Sequence, residues 1–236
     1  MSARRLLLAI EASNPSLSAG DEGSIAVCDL NGDVLAFERL RPGSRHDDAL
    51  VRTIDDACRA AGGKPGDVAR VAVSAGPGGY TGLRIAMTTA KMLGESLGAE
   101  LVPVPTARVA AFGFVEDDPA SAQGGFVVTL ASKRDTAWAQ VFQGTETTSS
   151  GELLDASGLA ALLRTTGART LLADEHLPAS MREEAARAGV RVASPRLDAV
   201  LCARASLGLP VVAVDALAPI YPREPEAVRK WRDEGR

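Results

Sequence analysis

Residues 6–10 form an unbroken apolar run that ends at Glu11 and the cluster Ser13-Asn14-Pro15-Ser16. So short a run closed by turn formers predicts a buried strand. Residues 24–30 and 34–40 predict two more strands, and Asn31-Gly32 between them predicts a type I′ turn, whose central positions both need positive φ. From Asp47 the period lengthens. Leu50, Ile54, Ala57, Cys58 and Ala61 recur at helical spacing against a polar side of Asp47, Asp48, Asp55 and Asp56, and Gly62-Gly63 ends the helix. Residues 68–74 predict a fourth strand. Leu83, Met87, Ala90, Leu93 and Leu97 then mark a second amphipathic helix closed by Gly98, followed by a strand over 101–104 and a short helix to Phe112 capped by Thr106.

The second half carries weaker patterning: strands over 124–130, 137–142, 170–173 and 190–193, and helices over 157–165 (capped by Ser157), 181–188 and 198–206. A last apolar run covers 211–214. Alternating strands and helices predict an α/β architecture. Phe112-Gly113 and Glu116-Asp117-Asp118-Pro119 interrupt the pattern, so the expected division is 1–107, 108–218 and a tail over 219–236 that frays or forms an arm. No internal repeat is visible in the sequence.

Composition narrows the function classes. Of 236 residues 46% are hydrophobic but only 4% aromatic, with much of the apolar content in alanine, which suits close helix packing and leaves few platforms for stacking bases. Lys and Arg number 26 against 30 Asp and Glu, a net charge of -4 that gives no global positive field for autonomous nucleic-acid binding. Three cysteines, Cys28, Cys58 and Cys202, without CxxC spacing, argue against a disulfide framework and a zinc ribbon. The run at 6–10 is too short for a signal peptide core or a membrane span, so the expected location is the cytoplasm. Only His46 and His176 offer imidazole.

The segment Gly76-Pro77-Gly78-Gly79-Tyr80-Thr81-Gly82 lies between a predicted strand and helix, where backbone N–H groups can meet an anion. It lacks the Gly-Lys-Ser/Thr of a P-loop, and its third glycine is misplaced for a dinucleotide fingerprint. Phosphate contact and a plain tight turn both remain open readings. Arg84 could reach an anion there or form a salt bridge. Ser132-Lys133 could be read as a nucleophile pair, but adjacent strand residues point to opposite faces.

The stretch 74–86 closely resembles the GPGSFTGLRIG signature of the bacterial TsaB (YeaZ) family, actin-like relatives of TsaD, the subunit that makes threonylcarbamoyladenosine in tRNA. The likeness continues through Thr88-Thr89-Ala90-Lys91 and Leu101-Val102-Pro103-Val104-Pro105-Thr106, and Leu8-Ala9-Ile10-Glu11-Ala12-Ser13 and Pro219-Ile220-Tyr221-Pro222-Arg223 are similar to the family's LAIDTS and PxYxR. It covers 5–110 well and the rest thinly. The sequence departs from the family where Glu11-Ala12 replaces Asp-Thr in the first phosphate-facing loop, Ala131-Ser132-Lys133 replaces Asp-Ala-Arg, and Gly79 replaces serine. Each departure removes or moves a polar group that could touch a nucleotide or metal.

The resemblance implies an actin-like (ribonuclease H-like) ATPase fold, two α/β subdomains with mixed sheets and the second reduced. It implies a non-catalytic subunit that binds a TsaD-like catalytic partner, works with a TsaE-like ATPase, meets tRNA only through the complex and can form a homodimer alone. TsaD carries HxxxH on the helix matching 46–61, whereas here Leu50 stands four residues after His46, so neither a catalytic residue nor a metal site is expected. No intrinsic cofactor is expected, and ATP or ADP would sit at the partner interface, with Gly76, Gly78, Gly79, Thr81, Gly82 and Arg84 as candidate contacts. Candidates for the partner interface, on the two helices of the first half, are His46, Leu50, Val51, Ile54, Ile85, Met87, Ala90 and Lys91. On that reading Met87→Glu or Ala90→Arg breaks association and leaves the monomer folded. The alternatives are a free-standing phosphotransferase or metallopeptidase, and a homodimeric binding protein unrelated to tRNA.

Overall fold

A computed structural model of the chain describes residues 5–14, 23–40, 46–223 and 231, with backbone alone for 46–49. Two mixed sheets organise it. In the first, β1 (Leu6–Glu11), β2 (Gly23–Cys28) and β3 (Val34–Leu40) run as an antiparallel meander. After α1 (His46–Ala60) comes β4 (Val68–Gly76), and after α2 (Tyr80–Leu97) comes β5 (Glu100–Pro105), both added in parallel to give the order β3-β2-β1-β4-β5. α3 (Thr106–Asp117) and the short α4 (Pro119–Gln123) lead to the second sheet.

There β6 (Phe126–Lys133), β7 (Thr136–Gln143) and the short β8 (Glu146–Thr147) and β9 (Glu152–Leu154) are antiparallel. α5 (Ala156–Thr166), β10 (Thr170–Leu172), α6 (Ala179–Arg187), β11 (Arg191–Ala193) and α7 (Ala199–Ser206) complete the order β11-β10-β6-β7-β8. Each half is thus a meander, then two parallel strands after crossover helices, then a closing helix. The repeat that the sequence hides is plain in the topology, and in the second half strands β8 to β11 are only two or three residues long.

Alternation along β1 explains the layers. Leu6, Leu8 and Ile10 join Ile25, Val27, Val71 and Val73 against α1 and α2, whereas Leu7 and Ala9 join Ala26, Cys28 and Ala72 facing α3 and α7. Because β1 is central and covered on both faces, every residue in it is buried and the sequence reads as a continuous apolar run. The inner face is built from small side chains and meets the Ala-rich α7 (Ala199, Cys202, Ala203, Ala205). That is where much of the alanine goes. The same inner layer continues to Phe126, Val128 and Leu130 of the second sheet, whose outer face packs on α5 and α6 through Leu159, Leu163, Met181 and Ala185.

Several local expectations fail for identifiable reasons. Asn31-Gly32 forms no type I′ turn: only Gly32 has positive φ (93°), because the Asp29 carboxylate accepts from the Asn31 N–H (2.8 Å) and Asp33 N–H (3.0 Å) and shapes a longer loop. Thr106 is not an N-cap. It lies inside α3, which runs on past Phe112 and Gly113, and its hydroxyl accepts from the Gly76 N–H at 3.1 Å. Asp155, not Ser157, caps α5, accepting from the Gly158 N–H at 2.8 Å. The apolar run over 211–214 meets the first sheet through a bridge between Val212 and Leu101. The start of the tail is tied down: the Ile220 N–H donates to the Ala75 carbonyl at 2.7 Å. Residues 224–230 and 232–236 lie outside the described residues.

Candidate functional site

The ends of β1, β4, β6 and β10 converge on a cleft of about 470 Å³ between the sheets, lined by Asn14, Gly78, Gly79, Ala131, Ser132, Lys133, Asp174, His176 and Arg223. Asp174 is buried there just after β10. Its Oδ2 accepts from Asn14 Nδ2 at 3.1 Å across the cleft, and its Oδ1 accepts from the His176 N–H at 3.0 Å. A carboxylate placed directly after a short apolar strand was a signal available in the sequence, since ligands of α/β sheets gather at the C-terminal ends of strands. Ser132 and Lys133 both line the cleft, against the alternation argument, because Ala131 takes a left-handed conformation (φ 51°) and the strand register shifts between Leu130 and Lys133.

Glu11 does not face the cleft. It is 1% exposed, and its carboxylate accepts from the Ser13 N–H (2.8 Å), the Ser13 hydroxyl (2.5 Å) and the Ser74 hydroxyl, fastening the first loop to β4. Burial pushes its pKa above the ordinary glutamate value, outweighing hydrogen bonds from Ser13 and Ser74 that act to lower it, and Asp198 adds to the rise. A raised folded-state pKa makes ionisation cost stability, so this residue's contribution is full below the unfolded value of about 4.3 and is lost as pH climbs through the raised one. Glu11→Gln is therefore expected to gain on the wild type as pH rises from acid to neutral. Urea midpoints of both proteins across that range check this, and a difference independent of pH would contradict it.

The glycine loop is spent largely on protein contacts. A Cβ on Gly78 would lie 2.2 Å from the Ser13 carbonyl oxygen, and one on Gly82 2.1 Å from that of Ala12. Gly76 has φ 98° and its N–H goes to Thr106, while the Gly79 N–H donates to the Ser13 carbonyl at 2.6 Å. The six candidate nucleotide contacts do not form one site. Gly78 and Gly79 reach the cleft, but Thr81 and Arg84 line a separate groove of about 420 Å³ along α2 with Tyr80, Ile85, Thr88 and Thr89. Arg84 donates to the Tyr80 hydroxyl at 3.0 Å and stacks on its ring at 5.1 Å, and Tyr221 packs on the other tyrosine with centroids 5.5 Å apart.

The interface candidates divide in the same way. Leu50, Ile54, Met87 and Ala90 are buried in the core, Met87 4% and Ala90 0% exposed, because they are the stripes that seat α1 and α2 on the sheet. Ala86 is buried too. Val51 (49%) and Met92 (48%) point outward, Ile85 and Lys91 are half-buried, and His46 starts α1 with its side chain outside the described atoms. Among the described residues no cluster of three His, Cys, Asp or Glu could hold a metal ion.

The family model described as TsaD, tRNA N6-adenosine threonylcarbamoyltransferase, matches residues 42–197, more than half of the chain. The chain belongs to the TsaD family. YeaZ from Pseudomonas aeruginosa superposes on this TsaD-family chain with a TM-score of 0.63 at 19% identity, covering 92% of this chain and 99% of that one. A second solved structure, an uncharacterized protein with similarity to peptidase YEAZ from Pseudomonas aeruginosa, gives 0.62 at 18% identity over 93% and 100%. At such identities the likeness carries the fold, which is the actin-like one implied by the glycine motif. No curated protein matches significantly. No described helix is long and apolar enough to cross a membrane.

Proposed function

We propose that this TsaD-family chain is a TsaB-like, non-catalytic subunit that docks its α1–α2 face on a catalytic TsaD-like partner, in the cytoplasm, and supports threonylcarbamoyl transfer to tRNA. The observation that carries the reading is the apolar side chains left outside on that helix pair: Val51 of α1 and Met92 of α2 are each about half exposed, and Ile85 of α2 is half-buried. Large apolar side chains left on packed helices fit a partner surface. Leu50, four residues after His46, faces the sheet, so this turn of α1 offers no second imidazole to a metal. The groove along α2, lined by Thr81 and Arg84, suits an adenine nucleotide at that interface, with Arg84 for phosphate. A TsaE-like ATPase and tRNA would be met through the complex.

Reconstitution of the tRNA modification by a TsaD-like subunit, with and without this chain, tests the role. Undiminished activity without it would remove the proposal. Val51→Glu with Met92→Glu is expected to weaken co-elution with that subunit by roughly tenfold or more, since two carboxylates would lose water at the contact. Both positions are exposed, so the circular dichroism spectrum should not change. Undisturbed binding in size exclusion would exclude this face.

A further inference from the structure

We propose that residues 219–223 act as a strap that fixes the angle between the two sheets and so sets how far the cleft opens. At one end of the strap, the Ile220 N–H donates to the Ala75 carbonyl near the end of β4, and the Ile220 carbonyl sits where a Cβ on Gly76 would come within 2.9 Å. Tyr221 packs on Tyr80 at the start of α2. At the other end, the Arg223 guanidinium donates to the carbonyl of Ala131 (2.5 Å) and to the carbonyl and hydroxyl of Thr136 (2.9 and 2.7 Å), gripping both strands of the β6–β7 hairpin. Within four residues the chain is thus bonded to both sheets.

The chemistry of the grip is specific. All three acceptors are uncharged, so what holds Arg223 is the fork of its guanidinium, which can serve two carbonyls and a hydroxyl at fixed angles where a lysine ammonium cannot match the geometry. Ala131, one of the two described non-glycine residues with positive φ, offers its carbonyl to that fork. A residue in so sparsely populated a conformation persists where its surroundings hold it. Across the cleft mouth the Asn14–Asp174 hydrogen bond is a second tie, but it joins two side chains and lacks the strap's backbone anchor. Two lobes that flank a cleft open by rotation about a few linking residues, and a strap across the opening limits that rotation. The inference is independent of the partner proposed above.

Pulsed EPR distances across the cleft test it, with nitroxides on Asp56→Cys in α1 and Thr165→Cys in α5, both exposed on their helices. Cys28, Cys58 and Cys202 are buried, so the label goes to the introduced thiols. Arg223→Ala and Arg223→Lys are each expected to broaden the distribution and move it to longer distance, with hydrogen exchange in β1 and β6 unchanged. Thr136→Val, which removes one acceptor and leaves the strap intact, should shift it the same way by less. An unchanged distribution in folded Arg223→Ala or Arg223→Lys overturns the strap. If neither folds, Thr136→Val decides: a distribution that stays in place overturns it equally.

Discussion

Gly82→Ala is expected to destabilise the protein by about 3 kcal/mol or more, the upper range for overpacking a fixed core. The added Cβ would lie 2.1 Å from the Ala12 carbonyl oxygen, a backbone atom of the loop that Glu11 fastens through Ser13 to β4. Neither side can yield cheaply: moving Ala12 disturbs the buried Glu11 hydrogen bonds, and moving Gly82 lifts the first turn of α2 from the sheet. Against a total stability of about 5–15 kcal/mol, that loss shows as a large fall in the urea midpoint. Gly66→Ala is the control, since its Cβ would meet only the end of the Lys64 side chain at 3.9 Å. Equal midpoints for the two variants would refute the close approach of α2 to the first loop.

Met87→Glu should strongly destabilise the monomer rather than spare it. Met87 packs with Leu8, Val71, Leu93 and neighbours under α2, and a carboxylate there would have to lose its hydration among apolar groups. An unpaired buried charge costs several kcal/mol, about 3–5 where buried pairs have been broken. Ala90→Arg carries the same burden with added bulk. Purified Met87→Glu with a native urea midpoint would show that α2 sits on the sheet by another face. The pair Val51→Glu and Met92→Glu, on the outward side of the same helices, separates docking from folding.

Why the sequence misled at Met87 but not at Leu6 is a matter of period. An apolar run in β1 reports burial on both faces, and no choice of side arises. A helix with apolar residues on more than one stripe does pose that choice, and α2 carries Ile85 and Met92 on one stripe and Leu83, Ala86, Met87 and Ala90 on another. Periodicity finds both stripes and cannot say which meets the sheet. The glycine loop was legible as a special turn, but its reason was not, because the Ala12 and Ser13 carbonyls that demand Gly82 and Gly78 are 70 and 65 residues away in sequence. Arg223 was visible only as part of a resembling motif. Its acceptors are backbone carbonyls and one hydroxyl, and carbonyl acceptors leave no mark in a sequence. Asp174 was the accessible miss.

The placing of α7 also bears on the order in which the chain can become a protein. Cys202 lies against the Ile10 carbonyl, 192 residues earlier, and Ala199 to Ala205 supply much of the cover on the small-residue face of the first sheet. The strands made first therefore keep the part of this face that α3 does not cover open until the end of the second half has been synthesised. Contacts between residues so far apart in sequence form late and slow folding, and an uncovered sheet is exposed to association meanwhile. Two halves with one topology are thus not two independent folding units: the first is closed by the last helix of the second.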